Sequence, residues 1–439
     1  MKRHYERVIV LCCFLLMFCN VGIPSTSFNV YQPYIVAIPG VGDSGGSFVI
    51  GLRTCVSMVC MFVVGKYFEI LNCRKGCFLA SLLTFVGMTL FGFAHSLPML
   101  FLAAIFSGAA YGLGGMVGIT LLINRWFKSD VGFAVGLSTV GSGVASTIIP
   151  IIAERVISGI SLAASFWLEA ACALVIAFVV GALLRNRPED MGLTPHVKPE
   201  DVPTMEELDS LAEHGLTEDL DLSEEEDAPS HAKATPVDKG VALPKGVHHL
   251  FTLAMALIGA VVVAGGTFLS VLLVSEGFDH KFAATMLSLF GLSLLVSKVI
   301  TGKLYDAIGT AKGTAVSFIC TLVGLVLLCL ASSGITALVI AGSALSGFGM
   351  SIATVGLPVW SLELSSVADR AHTIRVFQLG YTAGSFIYNF VPGVLKDLVG
   401  NYVISYVIMA VMTLVAFLVV MGVYLRYHDK AALPFSHAH

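Results

Sequence analysis

Arg53, Lys298 and Arg375 each lie inside a long hydrophobic run, where a cation is costly to keep. A charged side chain at the centre of a membrane-spanning helix costs about 2.5–3.5 kcal/mol, so such groups are retained chiefly where they serve a substrate or ion. A fixed cation in a low-dielectric cavity attracts anions, and a small carboxylate is its natural complement. At 1.5 Å per helical residue, Arg53 lies about 18 Å from Gly65, Lys298 about 6 Å from Gly302 and Arg375 about 9 Å from Asp369. Asn20, Gln378, Tyr381 and Asn389 are neutral polar residues in similar runs. Gln378, Tyr381 and Ser385 share one helical stripe, which makes these residues candidates to complete a substrate site.

Embedded acids are fewer. Glu154 and Glu169 read as structural pairing or interfacial groups rather than as carriers of a coupling proton. No glycine-rich phosphate loop followed by Lys-Ser/Thr is present, so ATP-driven transport is not expected, and neither Gly-x-Ser-x-Gly nor His-Glu-x-x-His occurs. His248, His249, His437 and His439 lack flanking ligands, so neither a metal nor any other cofactor is expected, and no enzymatic activity. A net charge of −4 gives no basic patch for nucleic acid.

The elements that hold these residues follow from composition. Of 439 residues, 56% are hydrophobic and 12% charged, and the mean hydropathy is +0.87, which excludes an ordinary soluble domain. A bilayer core of about 30 Å needs roughly 20 apolar residues per helix. Twelve runs meet that need: 8–31, 46–66, 77–95, 99–123, 131–157 and 162–184, then 249–274, 283–302, 313–332, 336–360, 371–395 and 402–425. The expected fold is an all-α membrane protein of 12 transmembrane helices in two pseudo-symmetric six-helix bundles, covering 1–185 and 248–427. An acidic linker, 186–247, joins them, and a short tail, 428–439, follows. The linker holds 16 of the 29 acids and reads as a solvated tether, with a short amphipathic pattern over 205–222.

The two bundles repeat one another. Gly65-Lys66-Tyr67-Phe68-Glu69 leads into Arg74-Lys75, and 237 residues later Gly302-Lys303-Leu304-Tyr305-Asp306 leads into Lys312. Gly112 and Gly114 align with Gly347 and Gly349, and Pro150 with Pro392. The loop pattern of glycine, three residues, an acid and then bases resembles the loop signature of the major facilitator superfamily. That resemblance implies alternating access at the repeat interface, with Gly65, Glu69, Arg74, Lys75, Gly302, Asp306 and Lys312 as gating residues. A narrower likeness begins at Trp126-Phe127-Lys128 and runs through Ala134 and Gly136 to Gly141-Ser142, followed by Arg187-Pro188-Glu189-Asp190. It is similar to the monocarboxylate transporter and oxalate:formate antiporter branch, although Val131 stands where that signature has a base. The branch's arginine before the second motif glycine is here Lys298, which keeps the charge without the bidentate fork.

Lys and Arg fall mostly on the side of both termini and the linker, so both termini are expected in the cytoplasm. The first run follows Lys2, Arg3 and Arg7 but pairs with a span of the second half, and is therefore expected to be a helix rather than a cleaved leader. The ten Cys avoid the outer loops, so no disulfide framework is expected. The reading is a monomeric secondary transporter of a small mono- or dicarboxylate in the lipid bilayer of an inner (plasma) membrane, with a coupling proton or counter-anion. Efflux of amphipathic or drug-like compounds is the alternative, and a non-transporting sensor signalling through the linker is one of another class.

Overall fold

The protein was analysed as a computed structural model, which describes residues 5–196, 243–365 and 369–427. The chain winds through α1 (Tyr5–Leu16), a wide irregular stretch (Met17–Ser27), one tight turn (Phe28–Tyr31) and α2 (Gln32–Val36). The first half continues with α3 (Gly42–Phe93), α4 (Leu97–Gly114), α5 (Met116–Trp126), α6 (Val131–Gly159) and α7 (Leu162–Leu183). The second half comprises α8 (Lys245–Thr267), α9 (Leu269–Ser275), α10 (His280–Ile308), α11 (Thr310–Cys329), α12 (Thr336–Gly349), α13 (Ile352–Glu363), α14 (Arg370–Tyr388), α15 (Val391–Val399) and α16 (Val403–Tyr427). Among the described residues there is no sheet, only one bridge between Phe127 and His196.

Among the described residues, ten helical stretches are long and apolar enough to cross a membrane. The difference from the expected twelve has two sources. α3 runs for 52 residues, about 78 Å at 1.5 Å per residue, and turns at Asn72, where φ is 60° and ψ 159°, so the second and third predicted runs share it. The predicted run 371–395 is divided between α14 and α15 and carries more polar residues than the rest. Large apolar side chains such as Phe62, Phe133, Val175 and Phe178 are exposed, as a surface facing lipid tails requires. The linker segment 205–222 and the tail 428–439 lie outside the described residues.

Packing confirms the repeat and corrects its register in one place. A Cβ on Gly76 would meet the Phe68 ring and one on Gly313 the Tyr305 ring, each pair 237 residues from its counterpart. Gly108 sits against the Arg53 carbonyl, and Gly347 sits against the Phe290 carbonyl in the same way. Gly347 is therefore the counterpart of Gly108, one turn from the Gly112 that sequence spacing suggests. Backbone contact decides this, because a glycine is needed where one helix axis approaches another.

Both described chain ends lie at one face of the bundle, called here the terminal end. Tyr5 Oη donates to Leu183 O at 2.6 Å, Arg74 N to Asn186 Oδ1 at 2.8 Å and Thr310 Oγ1 to Glu363 Oε1 at 2.9 Å, and Tyr424 also donates to Glu363. The loops after α2, α3, α9 and α15 form the opposite end.

Candidate functional site

The halves meet at the opposite end, where the Ser270 hydroxyl donates to Asn29 O and Tyr34 stacks on His280, and along two seams that begin there. In one, α6 packs on α10, with Gly291 against the Ser146 backbone and Gly143 against the Leu295 side chain. In the other, α3 packs on α15 and the end of α14, with Phe390 against Gly51 and Asn389 Nδ2 donating to Thr54 Oγ1 at 3.1 Å. Both seams stop partway. Gly132 and Gly136 continue the α6 stripe and Gly302 the α10 stripe, yet a Cβ on any of them would meet nothing within 4 Å. The space between the halves therefore widens toward the terminal end.

Arg53 lies at the head of that space. It is 6% exposed, and its Nη1 donates to Pro24 O at 2.5 Å. Its guanidinium carbon stands 4.9 Å from the centre of the Phe28 ring, within cation–π range. Local chain geometry explains the carbonyl partner, since the wide winding around Pro24 frees backbone acceptors from the regular ladder. A guanidinium has five N–H donors, and among the described residues no carboxylate pairs with this one. The nearby buried acids are engaged elsewhere. Tyr31 Oη donates to Glu169 Oε1 at 2.5 Å and Tyr34 Oη to Glu154 Oε2 at 2.6 Å, the structural pairing expected of both acids.

Tyr111 and Tyr381 complete the surroundings, one from each half. The Tyr111 hydroxyl lies within electrostatic reach of both Arg53 and the Tyr381 hydroxyl. Helical register agrees: Tyr111 follows Gly108, which touches Arg53, and Tyr381 lies on the stripe that reaches Asn389 beside Thr54. Both rings are half-buried, and among the described residues neither hydroxyl makes a hydrogen bond. Tyr111 was not foreseen from sequence, although its place on the Gly108 face of the fourth predicted run was a usable signal.

The remaining candidates separate by environment. Lys298 is half-buried on the α10 stripe, one turn beyond Leu295, and has no hydrogen bond or ion pair among the described residues. Asn20 is fully buried and engaged within the first half, donating to Gly114 O at 3.3 Å and accepting from Thr84 Oγ1 at 2.9 Å. Asn389 belongs to the closed seam. Gln378 and Arg375 are exposed on α14, and Arg375 is not a free cation. Among the gating residues, Arg74 Nε donates to Gly181 O at 2.7 Å, whereas Lys75 and Lys312 are exposed. Glu69 and Asp306 are exposed without a hydrogen bond or ion pair among the described residues, and Gly65 and Gly302 border open space. No group of His, Cys, Asp or Glu among the described residues has metal-binding geometry.

The family model described as Major Facilitator Superfamily matches residues 10–287 and 250–437. Monocarboxylate transporter 12 of Rattus norvegicus is 23% identical over 421 residues, covering 91% of this chain and 82% of the relative. The Mus musculus protein of that name is 21% identical with the same coverage. Among solved structures, a POT family transporter in complex with 5-aminolevulinic acid superposes with a TM-score of 0.68 at 14% identity, covering 97% of each chain. The nucleoside transporter NupG superposes at 0.65 with 16% identity, covering 97% of this chain and 100% of its own. At these identities the structural likeness speaks for the fold alone.

Proposed function

Because this chain belongs to the major facilitator superfamily, and so is a multi-pass membrane transporter rather than an enzyme, we propose that it carries a small organic anion by alternating access between its two halves. The observation that carries the reading is Arg53: a buried guanidinium that has no carboxylate partner among the described residues and lies within electrostatic reach of the Tyr111 hydroxyl, which in turn lies within reach of Tyr381 from the other half. An uncompensated buried cation is costly, and binding a carboxylate relieves that cost while adding charge-assisted hydrogen bonds. Lys298, without an ion pair among the described residues and lower on the wall of the same space, supplies a second positive charge along the entry path. The name of the mammalian relatives supports a monocarboxylate as the substrate class.

In this reading the terminal end faces the cytoplasm of an inner-membrane protein, and the conformation is open inward. Glu69 and Asp306, unengaged among the described residues, agree with that, since latches of the terminal end are released when it is open. Thermal stabilisation in detergent by small carboxylates against neutral analogues of the same size tests the proposal. Acids alone should raise the melting temperature, and Arg53→Ala should abolish the rise. Stabilisation by neutral or cationic amphiphiles only would overturn the anion reading and favour efflux.

A further inference from the structure

At the opposite end, α3 and α15 have no side-chain N-cap from their own half, and each is capped by the other half. α3 starts at Gly42 behind Val41, which offers no side-chain acceptor. α15 starts at Val391 behind Phe390, which offers none either. The first backbone N–H groups of a helix have no partner inside it, and an exposed cap normally supplies an oxygen to the second or third. Here the third residue of each helix finds that oxygen across the seam. Ser44 N donates to Asp397 Oδ2 at 3.1 Å, and the Ser44 hydroxyl donates to the same oxygen. Gly393 N donates to Ser47 Oγ at 2.8 Å, where Ser47 is fully buried.

The surroundings fit a built contact. A Cβ on Gly393 would strike the Asp43 carbonyl, so glycine permits the approach that brings Ser47 into range. Asp43 Oδ1 accepts from Tyr402 Oη at 2.7 Å, and Lys396 lies 5.9 Å from the centre of the Tyr402 ring. The Asp397 carboxylate also meets the positive end of the α3 dipole.

We propose that Asp397 and Ser47 are reciprocal caps in trans that form the releasable lock of the opposite end. The inference rests on the alternating-access reading above. Parting the halves uncaps both helices at once, so opening is a concerted step between two states rather than a graded hinge. Caps work in the closed state alone, and losing one shifts the equilibrium toward the open state by about fivefold to tenfold.

The test is the alkylation rate of a Ser288→Cys reporter, resolved by peptide mass spectrometry so that the ten native cysteines serve as internal controls. Ser288 is 4% exposed on α10, one turn from Gly291 in the closed seam. Asp397→Ala and Ser47→Ala should each speed its alkylation about fivefold to tenfold, while Asp397→Asn and Ser47→Thr, which keep an oxygen cap, stay near the parent rate. Alanine variants no faster than the parent, or Asp397→Asn as fast as Asp397→Ala, would overturn the lock. Should the alanine variants misfold, a Ser44→Cys/Asp397→Cys pair joined by a short reducible cross-linker should hold the reporter unreactive until reductant is added. A reporter that reacts equally before and after reduction overturns the lock as well. The readout needs no substrate. A protein that gains thermal stability from carboxylates but fails this test loses the lock alone, and the converse result removes only the anion reading.

Discussion

Arg53 is held by one carbonyl and one ring, and that arrangement leaves most of its donors free for an anion. A site built this way sacrifices stability for binding, so neutralising it separates the two. Arg53→Met should leave the melting temperature of the ligand-free protein unchanged or raise it, and should abolish stabilisation by carboxylates. A markedly lower melting temperature with the carboxylate response intact would assign Arg53 to structure. Tyr111→Phe and Tyr381→Phe each remove one hydroxyl and no ring packing. A net hydrogen bond is worth about 1 kcal/mol, so each should weaken carboxylate binding about fivefold by titration calorimetry, with ligand-free stability unchanged. Binding at the parent affinity in both would place those hydroxyls outside the site.

Among elements, the turn within α3 is the most constrained. Asn72 takes φ 60° and ψ 159°, a combination that glycine adopts without cost and other residues at about 1–3 kcal/mol. Asn72→Gly should therefore raise the melting temperature and Asn72→Val lower it, by differential scanning fluorimetry. No change in either would mean that the α3 turn sits elsewhere in solution. Glycines at close approaches fail in the opposite direction. In α14, a Cβ on Gly384 would run into the Ala256 backbone of α8, and one on Gly380 into the Thr252 carbonyl. Gly384→Ala should cost several kcal/mol, of the order seen for overpacked cores, read as loss of monodisperse protein in detergent. A well-behaved variant would show that α8 and α14 slide apart easily.

At the scale of the whole molecule, the contacts among the described residues join the halves chiefly at one end, which leaves the residues proposed as latches at the other end idle in this state. Glu69 and Asp306 make no hydrogen bond or ion pair among the described residues. Glu69→Gln and Asp306→Asn should therefore leave thermal stability within about 0.5 kcal/mol, as for surface changes, yet slow substrate flux through reconstituted vesicles. Unchanged flux would remove them from the gate.

Much of this was legible in the linear chain. Apolar run lengths are set by bilayer thickness, so nearly every predicted span overlies an observed helix, and duplicated loop motifs announce two halves whatever their packing. Membership of the superfamily was readable from Gly65–Glu69 and Gly302–Asp306 for the same reason. What spacing cannot carry is the direction a side chain takes after helices kink and cross. Three cations looked alike as letters in apolar runs. Only the tertiary structure sealed Arg53 over Phe28, left Lys298 half-buried on a free stripe and put Arg375 at an exposed position. It also turned Asn20 inward to Thr84 and Gly114, matched Gly347 with Gly108, and brought Tyr111 and Tyr381 together from opposite halves. The reciprocal caps are of that kind too, because Ser47 and Gly393 lie 346 residues apart and acquire meaning only when two helix starts meet. Periodicity fixes which face of a helix is apolar; the crossing of helices from different halves decides which polar atoms on that face find one another.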